Sequence, residues 1–369
     1  MKRSIARVAA AAVTLALPLS LTVALPAAQA AEPEAPVALA QTTPNQKPNT
    51  TGWRDYIRDK DGNYRYDNVK EIASYSPSMK RDIPLVLIQP KDPAKRAESL
   101  PTLYLLNGAD GGEGSANWFA QTDLIDYYGD KGVNVVVVMA GAYSYYTDWQ
   151  QPNATLDGGG DRQNWETFLT KELPEPLEKA INGNGRRAIA GLSMSATSTL
   201  NFAEHNPGFY NAVGSFSGCA ATTGPLYEAY IDQVLNRGGA TYEQMWGPRG
   251  GDVARNNDAL LNAEKLRGQH NIYVSNSTGL AGEMDLPSGP MLRGKSPLGS
   301  ISPIVEGGFI EASTNACTHD LEAKTRLLGI TPQTNNIQFN FRPAGTHQWG
   351  YWRQDMRDSW PVLSAGLFG

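Results

Sequence analysis

The chain has 369 residues, a formal net charge of −5 and two cysteines. That length admits one large α/β domain or two smaller ones, and no composition break or internal repeat divides it, so a single domain is expected. A mildly acidic chain with no Lys/Arg block beyond its first residues excludes a nucleic-acid partner, and without a phosphate-cradling loop or dinucleotide fingerprint no cofactor is expected.

Residues 1–30 read as an export signal. Lys2, Arg3 and Arg7 precede an apolar stretch over 8–25, and Ala28-Gln29-Ala30 fits a small-x-small cleavage site. A secreted or cell-envelope protein is expected, and in that compartment Cys219 and Cys317 would pair as a disulfide. Residues 31–51 are rich in Pro, Ala, Gln and Thr and lack apolar periodicity, which predicts a disordered leader. Residues 52–369 are the expected catalytic domain. No segment beyond the signal is long and apolar enough to span a bilayer.

Short apolar runs at 102–106 and 133–139 suit central strands of a parallel sheet. The Gly-rich run Asp157-Gly158-Gly159-Gly160-Asp161 offers too few oxygens for a recognised cation loop and reads as a solvated turn, so no metal is expected. Trp165, Phe168, Leu169, Leu173 and Leu177 have helical spacing, with Gly183 as a stop. Further strands are expected at 187–190, 212–216, 272–275 and 337–341, with a helix over 196–205. Strands alternating with helices predict a doubly wound, mostly parallel sheet covered on both faces, with ligands at the carboxyl ends of its strands.

Gly191-Leu192-Ser193-Met194-Ser195 joins a strand to a helix and has the form of a nucleophile elbow, although its last position is Ser195 instead of Gly. The competing reading is a Ser-rich turn that caps the next helix. A serine nucleophile needs a base. His347 lies in a turn-rich loop after the last strand and fits the chain order serine, acid, histidine. His205 and His270 lie at the wrong ends of their elements, and His319 reads as a surface residue. Topology puts the acid after the 272–275 strand, where Glu283 and Asp285 are the local candidates; Glu311 and Asp320 follow, and spacing alone does not choose. Two oxyanion N–H donors are expected: Met194, and Ala109 in the Gly-rich loop Asn107-Gly108-Ala109-Asp110-Gly111-Gly112.

Several blocks occur in order: Ser78-Met79-Lys80-Arg81-Asp82-Ile83, Leu103-Tyr104-Leu105-Leu106-Asn107-Gly108, Tyr145-Tyr146-Thr147-Asp148-Trp149, Trp165-Glu166-Thr167-Phe168-Leu169-Thr170, Met245-Trp246-Gly247-Pro248 and Gly345-Thr346-His347 with Trp349, Tyr351 and Trp352. Together they resemble the antigen 85 mycolyltransferases and their corynebacterial relatives. The resemblance implies an α/β-hydrolase fold and a triad of Ser193, Glu311 and His347, with Ala109 and Met194 as oxyanion donors. It implies transfer of a mycolyl chain from trehalose monomycolate to a second one or to cell-wall arabinogalactan, with peripheral attachment to the lipid envelope. The alternatives are a carboxylesterase or protein O-acyltransferase of the same fold, or a non-catalytic cell-wall or fibronectin-binding relative.

Two positions depart from the family. Asn107 stands where it has Asp, and Asp110 where it has Arg; both resemble sugar-contacting positions. Trp349, Tyr351 and Trp352 offer stacking faces for a sugar, with core packing as the competing reading, favoured for Trp352. Residues 280–305 form a longer segment than the family's counterpart, read either as a cover over the acyl groove or as a surface insertion.

Overall fold

The computed structural model describes residues 37–39, 52–156, 162–290 and 301–369. The signal, most of the leader, the Asp157–Asp161 turn and residues 291–300 lie outside the described residues. Nine strands form one sheet: β1 (Val37–Leu39), β2 (Val69–Ser76), β3 (Arg81–Ile88), β4 (Leu100–Leu105), β5 (Asn134–Val138), β6 (Gly183–Leu192), β7 (Ala212–Phe216), β8 (Ile272–Ser277) and β9 (Ile337–Arg342), in the order β1-β2-β3-β5-β4-β6-β7-β8-β9. The pairs from β5 through β9 are parallel, and β1, β2, β3 and β5 pair antiparallel. β1 falls within the segment read as a disordered leader, where it pairs with Ile72, Ala73 and Ser74 of β2.

The sheet is buried on both faces because its central strands are apolar on both. Val135 and Val137 share one core with Leu103, Leu105, Ala188 and Ala190. Val136 and Val138, which alternate with them, share the other with Tyr104, Leu106 and Ile189. Each buried Val, Leu or Ile among them stabilises the fold by about 1.5–3 kcal/mol relative to exposure. Five helices frame the site: α1 (Met194–His205), α2 (Pro225–Arg237), α3 (Ile301–Leu327), α4 (Trp349–Asp358) and α5 (Trp360–Phe368). α1 covers one face through Leu200, Phe202 and Ala203. α4 and α5 cover the other through Trp352, Met356, Leu363 and Leu367.

Two elements differ from expectation. The helix expected over 165–181 is interrupted by a π-turn at Phe168–Glu172, where Leu173 N–H donates to Phe168 O at 2.8 Å. Pro174 has no N–H, so the ladder slips by one residue there. β2 carries no continuous apolar run, because Lys70 and Glu71 interrupt it, whereas β3 holds the buried run Leu85-Val86-Leu87-Ile88, which was not singled out from the sequence. The parallel arrangement brings the loops after β4, β6, β7, β8 and β9 to one edge of the sheet.

Candidate active site

β6 ends in the elbow. Ser193 has φ 55° and ψ −120°, a strained conformation for a side-chain-bearing residue, costing about 1–3 kcal/mol. A Cβ on Gly191 would sit 2.5 Å from Ser195 Oγ and 2.9 Å from the Ser195 backbone, so the turn needs glycine there. Ser195 in turn has a structural task. Its hydroxyl accepts from Leu192 N–H at 2.9 Å and donates to Leu192 O at 3.1 Å, pinning the strand end to the helix start. The Ser193 hydroxyl makes no capping bond to α1, which removes the capping reading of this serine.

Ser193 Oγ faces His347 instead, 2.7 Å from Nε2. His347 Nδ1 lies 2.8 Å from Glu311 Oε2. The other Glu311 oxygen, Oε1, accepts from Ser277 N–H at 2.7 Å and from the Ser217 hydroxyl at 2.9 Å. Glu311 is fully buried, and both of its carboxylate oxygens have hydrogen-bond partners. With Nδ1–H given to the carboxylate, Nε2 is the acceptor that a serine proton needs. Glu311 comes from α3, and the disulfide between Cys219 and Cys317 joins that helix to the loop after β7.

Of the other candidates, Glu283 and Asp285 lie on a short turn after β8, and buried Asp285 bonds to Thr346 and Tyr351. His205 pairs with Glu166 at 2.9 Å, at the far end of α1 from the elbow. His319 is half exposed and stacks on Phe341.

A cavity of about 400 Å³ opens beside Ser193 and runs from the Gly108-Ala109-Asp110 loop to α2 and Phe309. Met194 opens α1, whose first N–H groups have no partner within the helix. Ala109 is tied by its carbonyl, which accepts from Tyr143 N–H at 2.7 Å. Tyr143, Tyr145 and Tyr146 all have positive φ, at 58°, 52° and 45°, and Tyr143 and Tyr145 wall the cavity. Burial and, secondarily, Asp232 push the Tyr145 phenol well above its ordinary pKa, so it stays protonated. Among the described residues no group of three His, Cys, Asp or Glu side chains is arranged to hold a metal ion.

The expected sugar contacts divide. Asn107 does not reach the cavity: it is fully buried, donating to Val138 O at 2.8 Å and accepting from Trp118 N–H at 3.2 Å. An amide meets this pair of demands, one donor and one acceptor, from inside the fold. Asp110 lines the cavity, and its carboxylate accepts from Gly112 N–H at 3.0 Å. Trp349 lines the cavity and packs edge-on against Trp118 and Trp352. Tyr351 is turned to Asp285 and is absent from the lining, so it offers no sugar face.

Trp352, expected as core packing, also belongs to the site. It packs edge-on against His347 and donates from Nε1 to Ser217 Oγ at 3.1 Å. Ser217 was not singled out from the sequence. It has φ 55° and bridges Trp352 to Glu311 at the carboxyl end of β7. The polar run Ser217-Gly218 directly after an apolar strand is the signal that marks it.

The family model described as Esterase matches residues 76–361. The diacylglycerol acyltransferase/mycolyltransferase Ag85A of Mycobacterium leprae is 30% identical over 309 residues, covering 81% of this chain and 83% of the relative. The Ag85B protein of Mycolicibacterium smegmatis is 31% identical over 308 residues, covering 81% and 85%. The chain belongs to the antigen 85 family. Among solved structures, MPT51 (FbpC1) of Mycobacterium tuberculosis superposes with a TM-score of 0.63 at 23% identity, covering 82% of this chain and 99% of that one. The fluorophosphonate-binding serine hydrolase F of Staphylococcus aureus gives 0.57 at 15% identity, covering 80% and 98%. These two likenesses establish a common α/β-hydrolase fold for the antigen 85 family member described here.

Proposed function

We propose that this chain is a serine-dependent acyltransferase that moves a mycolyl chain from trehalose monomycolate to a second trehalose monomycolate or to cell-wall arabinogalactan. The observation that carries the reading is the continuous contact from Ser193 through His347 to Glu311 in a member of the antigen 85 family. His347 Nε2 takes the Ser193 proton as Oγ attacks the ester carbonyl. The N–H groups of Ala109 and Met194 hold the oxyanion, each lowering the barrier by about 3 kcal/mol. The sugar leaves with the proton from His347, and an acyl-serine remains. A second sugar hydroxyl, deprotonated by His347, then attacks the acyl-serine and restores Ser193.

The lining supports a lipid substrate. Ile231, Val234 and Phe309 give the cavity an apolar side. On the two helices that supply this side, Leu226, Val305 and Phe309 are 57%, 64% and 58% exposed, and Phe309 packs edge-on against Tyr230 of the lining. Such a collar suits peripheral contact with a lipid layer in the cell envelope. No helix among the described residues is long and apolar enough to cross a membrane. Asp110, standing where the family has Arg, favours one second reading: an acceptor other than trehalose, either water or a protein hydroxyl.

Incubation with trehalose monomycolate and separation of the products tests both readings. Dimycolate is the expected product, and it should vanish in Ser193→Ala. Free acid alone, in the presence of excess trehalose, would establish an esterase instead.

A further inference from the structure

Asp285 is the carboxylate that topology places where a triad acid belongs, yet it makes no contact with His347. It is fully buried. Its Oδ2 accepts from the Tyr351 hydroxyl at 2.6 Å and from Gly282 N–H at 2.9 Å, and its Oδ1 accepts from the Thr346 hydroxyl. Thr346 precedes the proposed base, and Tyr351 stands in the first turn of the helix that follows it. Burial and the Asp285 carboxylate hold the Tyr351 phenol well above its ordinary pKa, so it remains a donor.

The chain leading to Asp285 runs along the same loop. Thr278 Oγ1 donates to Pro343 O at 2.9 Å. Gly279 N–H donates to Gly345 O at 2.9 Å, and Gly345 N–H donates to Leu280 O at 2.7 Å. A Cβ on Gly282 would sit 2.4 Å from the Tyr351 hydroxyl oxygen, so glycine permits the closest part of this approach. The stretch at 280–290 therefore begins as a brace under the histidine loop, not as a cover over the groove. Apart from this brace, the backbone of His347 is held by α3, through its own N–H to Gly307 O at 3.1 Å.

We propose that Asp285 is a positioning residue for the acyl transfer: by fixing Thr346 and Tyr351 on either side of His347, it keeps the imidazole in line between Glu311 and Ser193. Three donors satisfy its two buried oxygens, so the anion is an anchor on which both flanks of the histidine converge. The inference rests on the reading of Ser193 and His347 given above.

The test uses Thr346→Val combined with Tyr351→Phe, which removes both side-chain tethers and leaves the cavity lining intact. Hydrolysis of a short p-nitrophenyl ester is followed from pH 5 to pH 9 (roughly the range over which a histidine base titrates). The expected result is a native circular dichroism spectrum, KM within about twofold of the parent and kcat lowered by about 10²-fold, the loss that small misplacement of a reacting group causes. The histidine limb of the kcat/KM profile should move to lower pH, because a looser Glu311 contact stabilises the imidazolium less. If the double variant fails to fold, Tyr351→Phe alone carries the same readouts with smaller changes. Unchanged kcat and an unmoved limb in a folded variant would overturn the proposal. Ser193→Ala in the same assay keeps the two claims apart: activity retained there sinks the nucleophile assignment itself, whereas an inactive Ser193→Ala beside a fully active tether variant sinks the role of Asp285 alone.

Discussion

Ser193 and His347 meet at 2.7 Å, but they are held differently. The serine is fixed by its immediate neighbours: the Leu192–Ser195 bonds span three residues, and the constraint on Gly191 comes from the same turn. The histidine is fixed from afar. Glu311 is 36 residues away in the chain, the Asp285 bond to Thr346 spans 61, and the disulfide that steadies the Glu311 helix spans 98. A local turn forms whenever strand and helix form around it. A base assembled from three distant segments forms only when the tertiary structure closes. Damage on the histidine side should therefore remove activity from molecules that still fold, while damage to the backbone turn of the elbow should affect stability and activity together.

The largest effect is expected for Ser193→Ala, a loss in kcat on the order of 10⁶-fold with the melting temperature held, because alanine keeps the Cβ and the lost hydroxyl makes no capping bond. Residual transfer of labelled acyl chains near the parent rate would end the comparison by removing one of its two sides. Glu311→Gln should cost about 10⁴-fold in kcat while leaving substrate binding in place, as loss of the orienting carboxylate does in related triads. A KM effect without a kcat effect would show that Glu311 serves packing and not the imidazole. Replacing both Cys219 and Cys317 by Ser should lower stability by about 2–4 kcal/mol in denaturant titration. Activity should also fall earlier along that titration than secondary structure, because α3 carries Glu311; coincident loss would blur the distinction between the two sides.

Gly191→Ala should cost about 1–3 kcal/mol through overpacking against Ser195. Scanning calorimetry and the rate of fluorophosphonate labelling should report that change together. The smallest effect is a control remote from both sides. Burial pulls the His205 imidazole down, but the Glu166 carboxylate and the Asn256 carbonyl outweigh it and leave the pKa above the ordinary 6.5. The stabilisation is therefore complete below about pH 6.5 and is lost as pH rises through the higher folded-state value. His205→Gln should lower the melting temperature at pH 5.5 and have little effect at pH 9; a gap that widened with pH would reverse this assignment.

The same contrast governs what could be read before folding. The elbow is contiguous, so Gly191 to Ser195 gave it away, and the apolar runs of β4 and β5 announced buried parallel strands. His347 followed from chain order. The acid did not: Glu283, Asp285, Glu311 and Asp320 are equivalent until α3 is laid against β8, and only resemblance favoured Glu311. Asn107 was singled out because it stands where the family has Asp at a sugar-contacting position, whereas here its amide pairs with Val138 O inside the fold. Ser217 went unread and Trp352 was read as core packing, because their place in the site lies in contacting one another across 135 residues.

One consequence follows from the bent tyrosines beside the cavity. Three side-chain-bearing residues in left-handed backbone conformation oppose folding by about 1–2 kcal/mol each. They are held there by bonds such as Tyr143 N–H to Ala109 O and Tyr146 OH to Ala140 O. Folding has already absorbed that opposition before any ester arrives. The wall next to the amides proposed to hold the oxyanion is thus stiff at the moment of encounter, and an incoming chain must conform to it. Replacing Tyr146 by glycine would release its backbone strain but delete a fully buried ring and its bond to Ala140 O, so stability and catalysis should fall together.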